Sequence, residues 1–348
     1  MSLYFLFVFV ILTIKVVNSK TATFELYFTS PAIDLYHDLD EQLNGCPVTN
    51  CKFLEFNENK TNYNKSCLIV HLRNENPSKY LNYKNYTNCI IGYNFESDLH
   101  CKNCHNPKVK DGFVNFEYSH KQSSDFPMYD YHSHVVIKEN KTFNTEKNFM
   151  KNKTKLAAAL ISNIHYSPSE RIKIIEKLRD LGLEIDIYGS SGLQCPYNCK
   201  EYIADNYLFY LAFENSLCPD YISEKYFGFL NKDIIIVTYG LGNYTKYTQT
   251  SHIDVLEYNN LTDLAKRLIY LSKNRVVYNS LFLDRKQLSF EQSDNYFECN
   301  ICKQMNDPSF FKRLKKKSLT FDYKQCVAPE FNGTRVIYKF NNNLKMTI

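Results

Sequence analysis

An α/β fold on a parallel sheet is predicted for the second half of the sequence, and three features predict it. LAAALIS (156–162), YLFYLAF (207–213) and DIIIVTYG (233–240) are continuous apolar runs of strand length, as strands buried on both faces are. Segments with helical periodicity stand between several of these runs, the alternation that builds a parallel sheet with helices on its faces. No GxGxxG loop follows any run, which argues against a nicotinamide or flavin oxidoreductase.

Taken in order, the early elements are short strand candidates, FELYF (24–28), CLIVHL (67–72) and NCIIGYNF (88–95), set among Asn-, Lys- and Tyr-rich loops. KENKTFNTEKNFMKNKTK (138–155) has almost no apolar content and marks a domain boundary. After it comes LAAALIS. Ser169 then stands where it can cap a helix running through Leu181, with Ile172, Ile175 and Leu178 on one face and Gly182 as the stop. EIDIYG (184–189), YLFYLAF, DIIIVTYG and DVLEY (254–258) supply the second to fifth strands, and helices are expected over 221–230 and 261–271. A sheet of this kind binds ligands beyond the carboxyl ends of its strands.

The 348 residues (41.0 kDa) suit about two domains, and 44% hydrophobic with 23% charged residues is an ordinary globular balance. The net charge of +5 is spread along the chain, unlike the concentrated basic face of a nucleic-acid binder. Its one cluster, FKRLKKKS (311–318), reads as a solvated helix end or tail rather than a membrane or polyanion contact. Residues 3–17 are apolar apart from Thr13 and Lys15. As a helix they span about 22 Å, short of the roughly 30 Å of a hydrocarbon core. A cleaved signal peptide (1–19) and a short signal-anchor are both open, and both put the remainder in the secretory lumen.

Twelve cysteines, an even number, agree with an oxidising lumen; Cys46/Cys51, Cys101/Cys104, Cys195/Cys199 and Cys299/Cys302 lie close in sequence and read as disulfide cysteines of unassigned connectivity. The rival is a zinc site on the two CxxC units, a weak signal at their separation. Eight N-x-S/T sequons, at Asn59, Asn64, Asn85, Asn140, Asn152, Asn243, Asn260 and Asn332, add modest support for the lumen.

The chemistry concentrates where YLFYLAF stops, in FENSLCPDYISEKYFGFL (213–230). Glu214, Asn215 and Ser216 emerge at the strand end. Asp220 is a candidate N-cap, and a helix from Tyr221 would align Tyr221, Glu224, Lys225 and Gly228 at i, i+3, i+4 and i+7, with Ile222, Tyr226 and Phe229 packed on the sheet. An aromatic ring, an acceptor, a cation and N–H groups on one face suit a nucleoside diphosphate; a capped amphipathic helix with a surface Glu–Lys pair is the plainer reading.

These residues carry a resemblance. FENSLCPDYISEK is similar to the donor-binding signature of the α1,3/4-fucosyltransferases, glycosyltransferase family 10. SNIHYSPSER (162–171) and DIYG (186–189) resemble the segments upstream of it, YNFESDLH (93–100) resembles the acceptor-side NFESPSH, HKQSSD (120–125) stands in the place of YRRDSD, and Cys299-Asn-Ile-Cys302 resembles the late CxxC. The motifs run in family order over about 60% of the chain.

The resemblance implies a GT-B fold, two Rossmann-like domains facing across a cleft: an acceptor-side domain (20–145), a GDP-fucose-binding domain (155–310) and a basic C-terminal segment (311–348). It implies inverting transfer of L-fucose from GDP-β-L-fucose to a glycan hydroxyl, with O3 of N-acetylglucosamine the expected position, by an α-(1,3)-fucosyltransferase. Glu96 would be the base, Arg171 and Lys225 would hold the diphosphate, Glu224 the ribose hydroxyls, and Asn215 and Tyr221 the nucleotide. Ser162 and Asn163 would line the donor site, Lys121 would offer a single ammonium, and Glu214 and Ser216 would shape the loop. No metal or cofactor is assigned, with stimulation by Mn or Mg left open; the partners are GDP-fucose, a glycan acceptor and, through an uncleaved N-terminus, the membrane, with no nucleic acid. The expected location is the Golgi membrane as a single-pass type II protein, or else secretion. Asp98 in place of the motif's proline, His120-Lys121-Gln122 in place of Tyr-Arg-Arg, and the lack of tryptophan depart from the pattern on the acceptor side. Alternatives are a catalytically degenerate glycan-binding protein of the same fold, and a metal-dependent transferase using Asp38-Leu39-Asp40, which lies in a polar stretch.

Overall fold

The computed structural model describes residues 24–29, 43, 45–59, 63–73, 75–85, 87–105, 111–127, 147–163, 167–190, 192–248, 251–283, 296–314, 317–340 and 345–347. The N-terminal apolar run, Asp38-Leu39-Asp40, Asn140 and the first half of the 138–155 boundary lie outside these residues.

The first domain is a parallel sheet of β1 (Phe24–Phe28), β2 (Cys51–Glu55), β3 (Tyr63–His71), β4 (Thr87–Asn94), β6 (Phe116–Ser119) and β7 (Phe126–Pro127), in spatial order β2-β1-β3-β4-β6-β7. β5 (Asp111–Val114) stands apart from it. The central strands read CLIV and CIIG and bury residues on both faces, so each side of the sheet has its own apolar cluster.

The second domain is also parallel: β8 (Lys155–Leu160), β9 (Ile185–Tyr188), β10 (Tyr207–Phe213), β11 (Ile235–Tyr239) and β12 (His252–Asp254), in order β12-β11-β10-β8-β9. Its helices are α1 (Arg171–Asp180), α2 (Cys199–Asn206), α3 (Glu224–Leu230), α4 (Leu261–Lys273) and α5 (Arg275–Ser280). β10 is buried at every residue, as its unbroken apolar run requires. Counted within the domain, the order is 2-1-3-4-5, and its direction reverses between β8 and β10. The carboxyl ends of those two strands flank the crevice such sheets use for ligands.

α1 ends as expected: Gly182, at φ +90°, lets the Gly182 and Leu183 N–H groups close on Arg179 and Leu178. Its start differs. Ser169 does not cap it, because its hydroxyl donates to the Glu214 carbonyl at 2.6 Å, and Glu170 in the left-handed region (φ 52°) begins the turn. The expected fifth strand over 254–258 stops at Asp254, whose carboxylate accepts the Leu256 N–H and starts a 3₁₀ turn, Val255–Glu257.

The C-terminal part is woven through both domains. α6 (Tyr296–Met305) packs Phe297, Ile301 and Met305 into the first domain's apolar cluster, so the expected second-domain stretch of 155–310 does not end as one unit. Disulfides account for this: Cys46 bonds Cys299 and Cys51 bonds Cys302, crossing the two sequence-local pairs, while Cys101–Cys104 and Cys195–Cys199 are local as read. Cys67–Cys89 and Cys218–Cys326 complete the set. All twelve cysteines are bridged, which removes the thiolates the zinc reading needed. The segment read as a basic tail pairs β13 (Lys317–Ser318) with β5 and buries Leu319 and Phe321 in the first domain. It then forms a sheet of β14 (Val327–Asn332), β15 (Arg335–Phe340) and β16 (Lys345–Thr347), with Val327, Val336 and Tyr338 in the second domain's core. Among the described residues no helix is long and apolar enough to cross a membrane.

Candidate active site

β4 ends in Asn94, whose buried side chain folds the next turn. Its Nδ2 donates to the Glu96 carbonyl at 2.6 Å and its Oδ1 accepts the Glu96 N–H at 3.4 Å. The turn aims the Glu96 carboxylate at the second domain. There Oε2 accepts from Asn215 Nδ2 (3.3 Å) and the Tyr221 hydroxyl (3.1 Å), while Oε1 pairs with Arg73 Nη1 at 2.9 Å. The side chain keeps 21% of its surface exposed, so the carboxylate is held on three sides and open on the remainder. Arg73, two residues beyond β3, carries no motif signal and was missed from sequence.

On the opposite side, β10 ends at Phe213 and the signature begins. Glu214 turns inward and is fully buried: its carboxylate accepts the Ser223 N–H (2.8 Å) and hydroxyl (2.9 and 2.7 Å) and lies 3.4 Å from Lys225 Nζ. This makes Ser223, not Asp220, the N-cap. Asp220 takes a left-handed φ of 62°, and α3 starts at Glu224. Tyr221 therefore precedes the helix, and the expected face through Tyr221, Glu224, Lys225 and Gly228 does not form. Gly228 instead faces α2, where a Cβ would lie 2.8 Å from Lys200 Nζ. The sequence reading failed here because the group that selects the cap, Glu214, is nine residues upstream.

Lys225 Nζ donates to Ser223 Oγ (2.8 Å) and Glu224 Oε1 (3.1 Å). Burial opposes its charge, but Glu214 and Glu224 outweigh burial and hold its pKa above the ordinary lysine value. For Glu224 burial is likewise outweighed by Lys225, so its pKa lies below the usual value; for Glu214 burial wins and raises it.

Arg171, the first residue of α1, bridges the switch point. Nη1 donates to the Phe213 carbonyl (2.9 Å) at the end of β10, and Nη2 to the Asn163 carbonyl (3.0 Å) beyond β8. It is 3% exposed, its Nε lacks a hydrogen-bond partner among the described residues, and burial, opposed by Glu214, lowers its pKa. Ser162 and Asn163 are exposed at the same edge. Gly189 of the DIYG segment closes this edge at φ +125°, where a Cβ would stand 2.4 Å from the Ile161 carbonyl oxygen; glycine alone allows that approach.

The domains are joined by a hydrogen-bond cluster the sequence reading did not assemble. Ser97 Oγ and Ser216 Oγ are 2.7 Å apart, each lies 2.9 Å from His100 Nδ1, and Ser216 Oγ donates to Asn215 Oδ1 at 3.0 Å. Counting protons orders the cluster. Asn215 gives its NH₂ to Glu96, so its oxygen takes the Ser216 proton, Ser97 donates to Ser216, and the imidazole must supply Nδ1–H. Burial lowers the His100 pKa, consistent with a neutral ring. The only signal for His100 in sequence was its place at the end of the NFESDLH stretch.

Lys121 is not grouped with Arg171 and Lys225. Its ammonium turns into the first domain and pairs with buried Asp98 at 2.7 Å. Of the residues expected in the donor site, Asn215 and Tyr221 thus meet Glu96 directly, Arg171, Ser162 and Asn163 share the two strand ends, and Glu224 and Lys225 open α3. Among the described residues no group of three His, Cys, Asp or Glu side chains is placed to hold a metal ion.

Two parallel sheets whose carboxyl edges meet across this cluster define a two-domain protein of the GT-B type. Residues 150–319 match the family model "Glycosyltransferase family 10 (fucosyltransferase) C-term". This stretch, just under half of the chain, is similar to the C-terminal domain of glycosyltransferase family 10. The chain is similar to alpha-(1,3)-fucosyltransferase C of Drosophila melanogaster, 34% identical over 163 residues, covering 45% of this chain and 37% of the relative. It is also similar to glycoprotein 3-alpha-L-fucosyltransferase A of Drosophila melanogaster, 27% identical over 275 residues and covering 75% and 52%. The chain thus spans about half or less of these two relatives. The fold is that of a solved structure titled "Crystal Structure of alpha1,3-Fucosyltransferase", with a TM-score of 0.56 at 14% identity, covering 84% of this chain and 93% of that one.

Proposed function

We propose that this protein is an inverting α-(1,3)-fucosyltransferase that moves L-fucose from GDP-β-L-fucose to a hydroxyl, O3 of N-acetylglucosamine, on a glycoprotein or glycolipid glycan. The observation that carries the reading is the Glu96 carboxylate, held by the first domain against Asn215 and Tyr221 of the donor-side signature. A base from one domain thereby meets the nucleotide-side residues of the other, the arrangement a direct displacement at the sugar carbon requires. The names of the relatives support the activity and linkage. A solved structure of the same fold, titled as an α1,3-fucosyltransferase with GDP (TM-score 0.54), supports the donor.

In this mechanism Glu96 accepts the acceptor hydroxyl's proton as its oxygen attacks the anomeric carbon. Arg73, Asn215 and Tyr221 fix the carboxylate's direction, and one of them yields its place to the incoming hydroxyl. The departing GDP takes the bonding pair. Its charge falls to Arg171, whose Nε has no hydrogen-bond partner among the described residues, and to Lys225, whose ammonium a diphosphate would share with Glu214 and Ser223. Glu224, on the first turn of α3, would accept ribose hydroxyls. Ser162 and Asn163 line the donor side. Phosphate charge is thus met by protein cations, and the reading calls for no metal ion.

The bridged cysteines support a secretory lumen, and the N-terminal apolar run supports a single-pass type II Golgi protein. Carbonate extraction of the expressed full chain tests the anchoring: a soluble product would move it to secretion. For the activity, we would incubate the protein from Thr21 onward with GDP-fucose and acceptors ending in N-acetylglucosamine, N-acetyllactosamine or a core N-glycan, and follow GDP release beside Glu96→Gln. Acceptor-dependent release, reduced about 10²- to 10⁴-fold in the variant, is expected. A folded protein that binds no GDP would overturn the donor reading.

A further inference from the structure

Asp98 and Lys121 lie in the two segments where the sequence departs from the family motifs, and the structure joins them. Asp98 has no exposed surface and the Lys121 side chain keeps 7%, with Nζ 2.7 Å from Oδ2. A buried pair of this kind adds little net stability over apolar residues of the same volume, since desolvation offsets the attraction. Its geometry shows another use. Asp98 Oδ2 also accepts the Asp322 backbone N–H at 2.7 Å, and Oδ1 lies 3.7 Å from His120 Nε2. Three chain segments are knotted at one carboxylate: the loop that carries Glu96, the turn after β6, and the C-terminal stretch leading to Cys326.

Each segment leads back to Glu96. Asp98 is two residues along the same loop. The His120 ring stands edge-on to Tyr221, centroids 5.1 Å apart at 74°, and the Tyr221 hydroxyl is one of the donors to Glu96 Oε2. The neighbouring Gln122 N–H reaches Asp220 Oδ2 at 3.4 Å. The stretch from Asp322 runs to Cys326, whose disulfide with Cys218 anchors the second domain three residues before Tyr221. A shift at the knot therefore moves both the base and a group that aims it.

We infer that the Asp98–Lys121 pair is a positioning element that sets Glu96 against the second domain, and that Lys121 is not a donor-phosphate ligand. The inference rests on Glu96 acting as the base. In this chain a carboxylate at 98 and an ammonium at 121 do together what neither does alone: Asp98 without Lys121 is a buried carboxylate that has lost its ammonium, and Lys121 without Asp98 loses the carboxylate it turns inward to meet.

The test compares the wild-type protein from Thr21 onward with Lys121→Met, Asp98→Asn and the double variant. Four quantities are read: Tm, GDP affinity by calorimetry, kcat and KM for transfer, and hydrogen–deuterium exchange of peptides covering 94–100 and 217–222. In each single variant kcat is expected to fall about 10²-fold, the cost of misplacing a reacting group by about 1 Å. GDP affinity should stay within about threefold, as for a site off the ligand's own contacts. Exchange should quicken in the two peptides and not in the β8–β10 core. The double variant should regain the wild-type Tm, because two neutral side chains of similar size replace the buried pair, while kcat stays at least about tenfold down. Recovery of kcat together with Tm would show that the pair only stabilises the fold and would overturn the inference. So would a Lys121→Met protein that loses GDP affinity tenfold with kcat intact, which would make Lys121 a phosphate ligand. If the wild type fails to bind GDP, the donor reading falls and exchange still decides: unchanged protection of 94–100 and 217–222 in Lys121→Met overturns the positioning role.

Discussion

Ser216 lies at the centre of the interdomain cluster, and Ser216→Ala tests whether that cluster is closed and dry in solution. Its hydroxyl, in a fully buried residue, contacts Ser97 Oγ, His100 Nδ1 and Asn215 Oδ1 at 2.7, 2.9 and 3.0 Å. Without it, Ser97 and His100 still have each other at 2.9 Å, so the net loss falls on Asn215, whose oxygen is left without this donor. Asn215 is half-buried, so losing this donor costs at most about 1–3 kcal/mol, which at about 2.1 cal/mol/K per residue lowers Tm by no more than roughly 1–4 °C. Asn215 can then rotate away from Glu96, and losing one aiming hydrogen bond of about 1.4 kcal/mol would reduce kcat about tenfold. Scanning calorimetry and transfer kinetics on the same samples check both figures, and Ser216→Cys, which keeps a weak donor, should fall between. A Ser216→Ala protein with unchanged Tm and kcat would refute the reasoning, because it would mean that water already fills the cluster and the domains stand apart.

Burial pushes the Glu298 carboxyl up to about 7 from its ordinary 4.5. A raised carboxyl stabilises the fold below pH 4.5, and that contribution is lost as pH rises through 7; for this buried group it amounts to about 3 kcal/mol. Thermal unfolding should therefore show Tm falling between pH 5 and 8, with Asp254, also raised to about 7 by burial, acting in the same sense. Glu298→Gln should flatten the slope and unfold later than wild type at pH 8. Gly189→Ala places a methyl group 2.4 Å from the Ile161 carbonyl oxygen at a φ of +125° and should cost more than about 1 kcal/mol, read by denaturant titration. Transfer in EDTA should match transfer in Mg, since Arg171 and Lys225 are assigned the diphosphate charge; a tenfold loss in chelator would return that role to a metal ion.

Much of the second domain is legible in sequence because its signals are local. YLFYLAF is β10 residue for residue, since an unbroken apolar run has no face to give to water. Gly182 ends α1 because a left-handed residue is needed at that point. The resemblance located the residues around the cleft for the same reason, as FENSLCPDYISEK is contiguous. The start of α3 was not legible. Its cap, Ser223, is selected by a buried Glu214 that the sequence shows only as a polar residue after a strand.

The disulfide pattern was readable as to chemistry and compartment but not as to partner. Cys46 and Cys51 stand close to each other in sequence, yet each reaches more than 250 residues ahead to α6, because that helix packs Phe297, Ile301 and Met305 into the first domain's apolar cluster. The sequence by itself determined the most apolar strands, β1, β3, β4 and β8 to β11, the parallel second domain and the identity of the groups that carry charge, since each follows from the apolarity, turn chemistry or ionisation of neighbouring residues. The tertiary structure alone decided that Glu96 meets Asn215 and Tyr221, that His100 Nδ1 meets Ser216, and that Lys121 turns to Asp98 and not toward the donor side. Those contacts join residues more than twenty, and mostly more than a hundred, positions apart. Their geometry comes from how two sheets are set edge to edge, which no local propensity encodes.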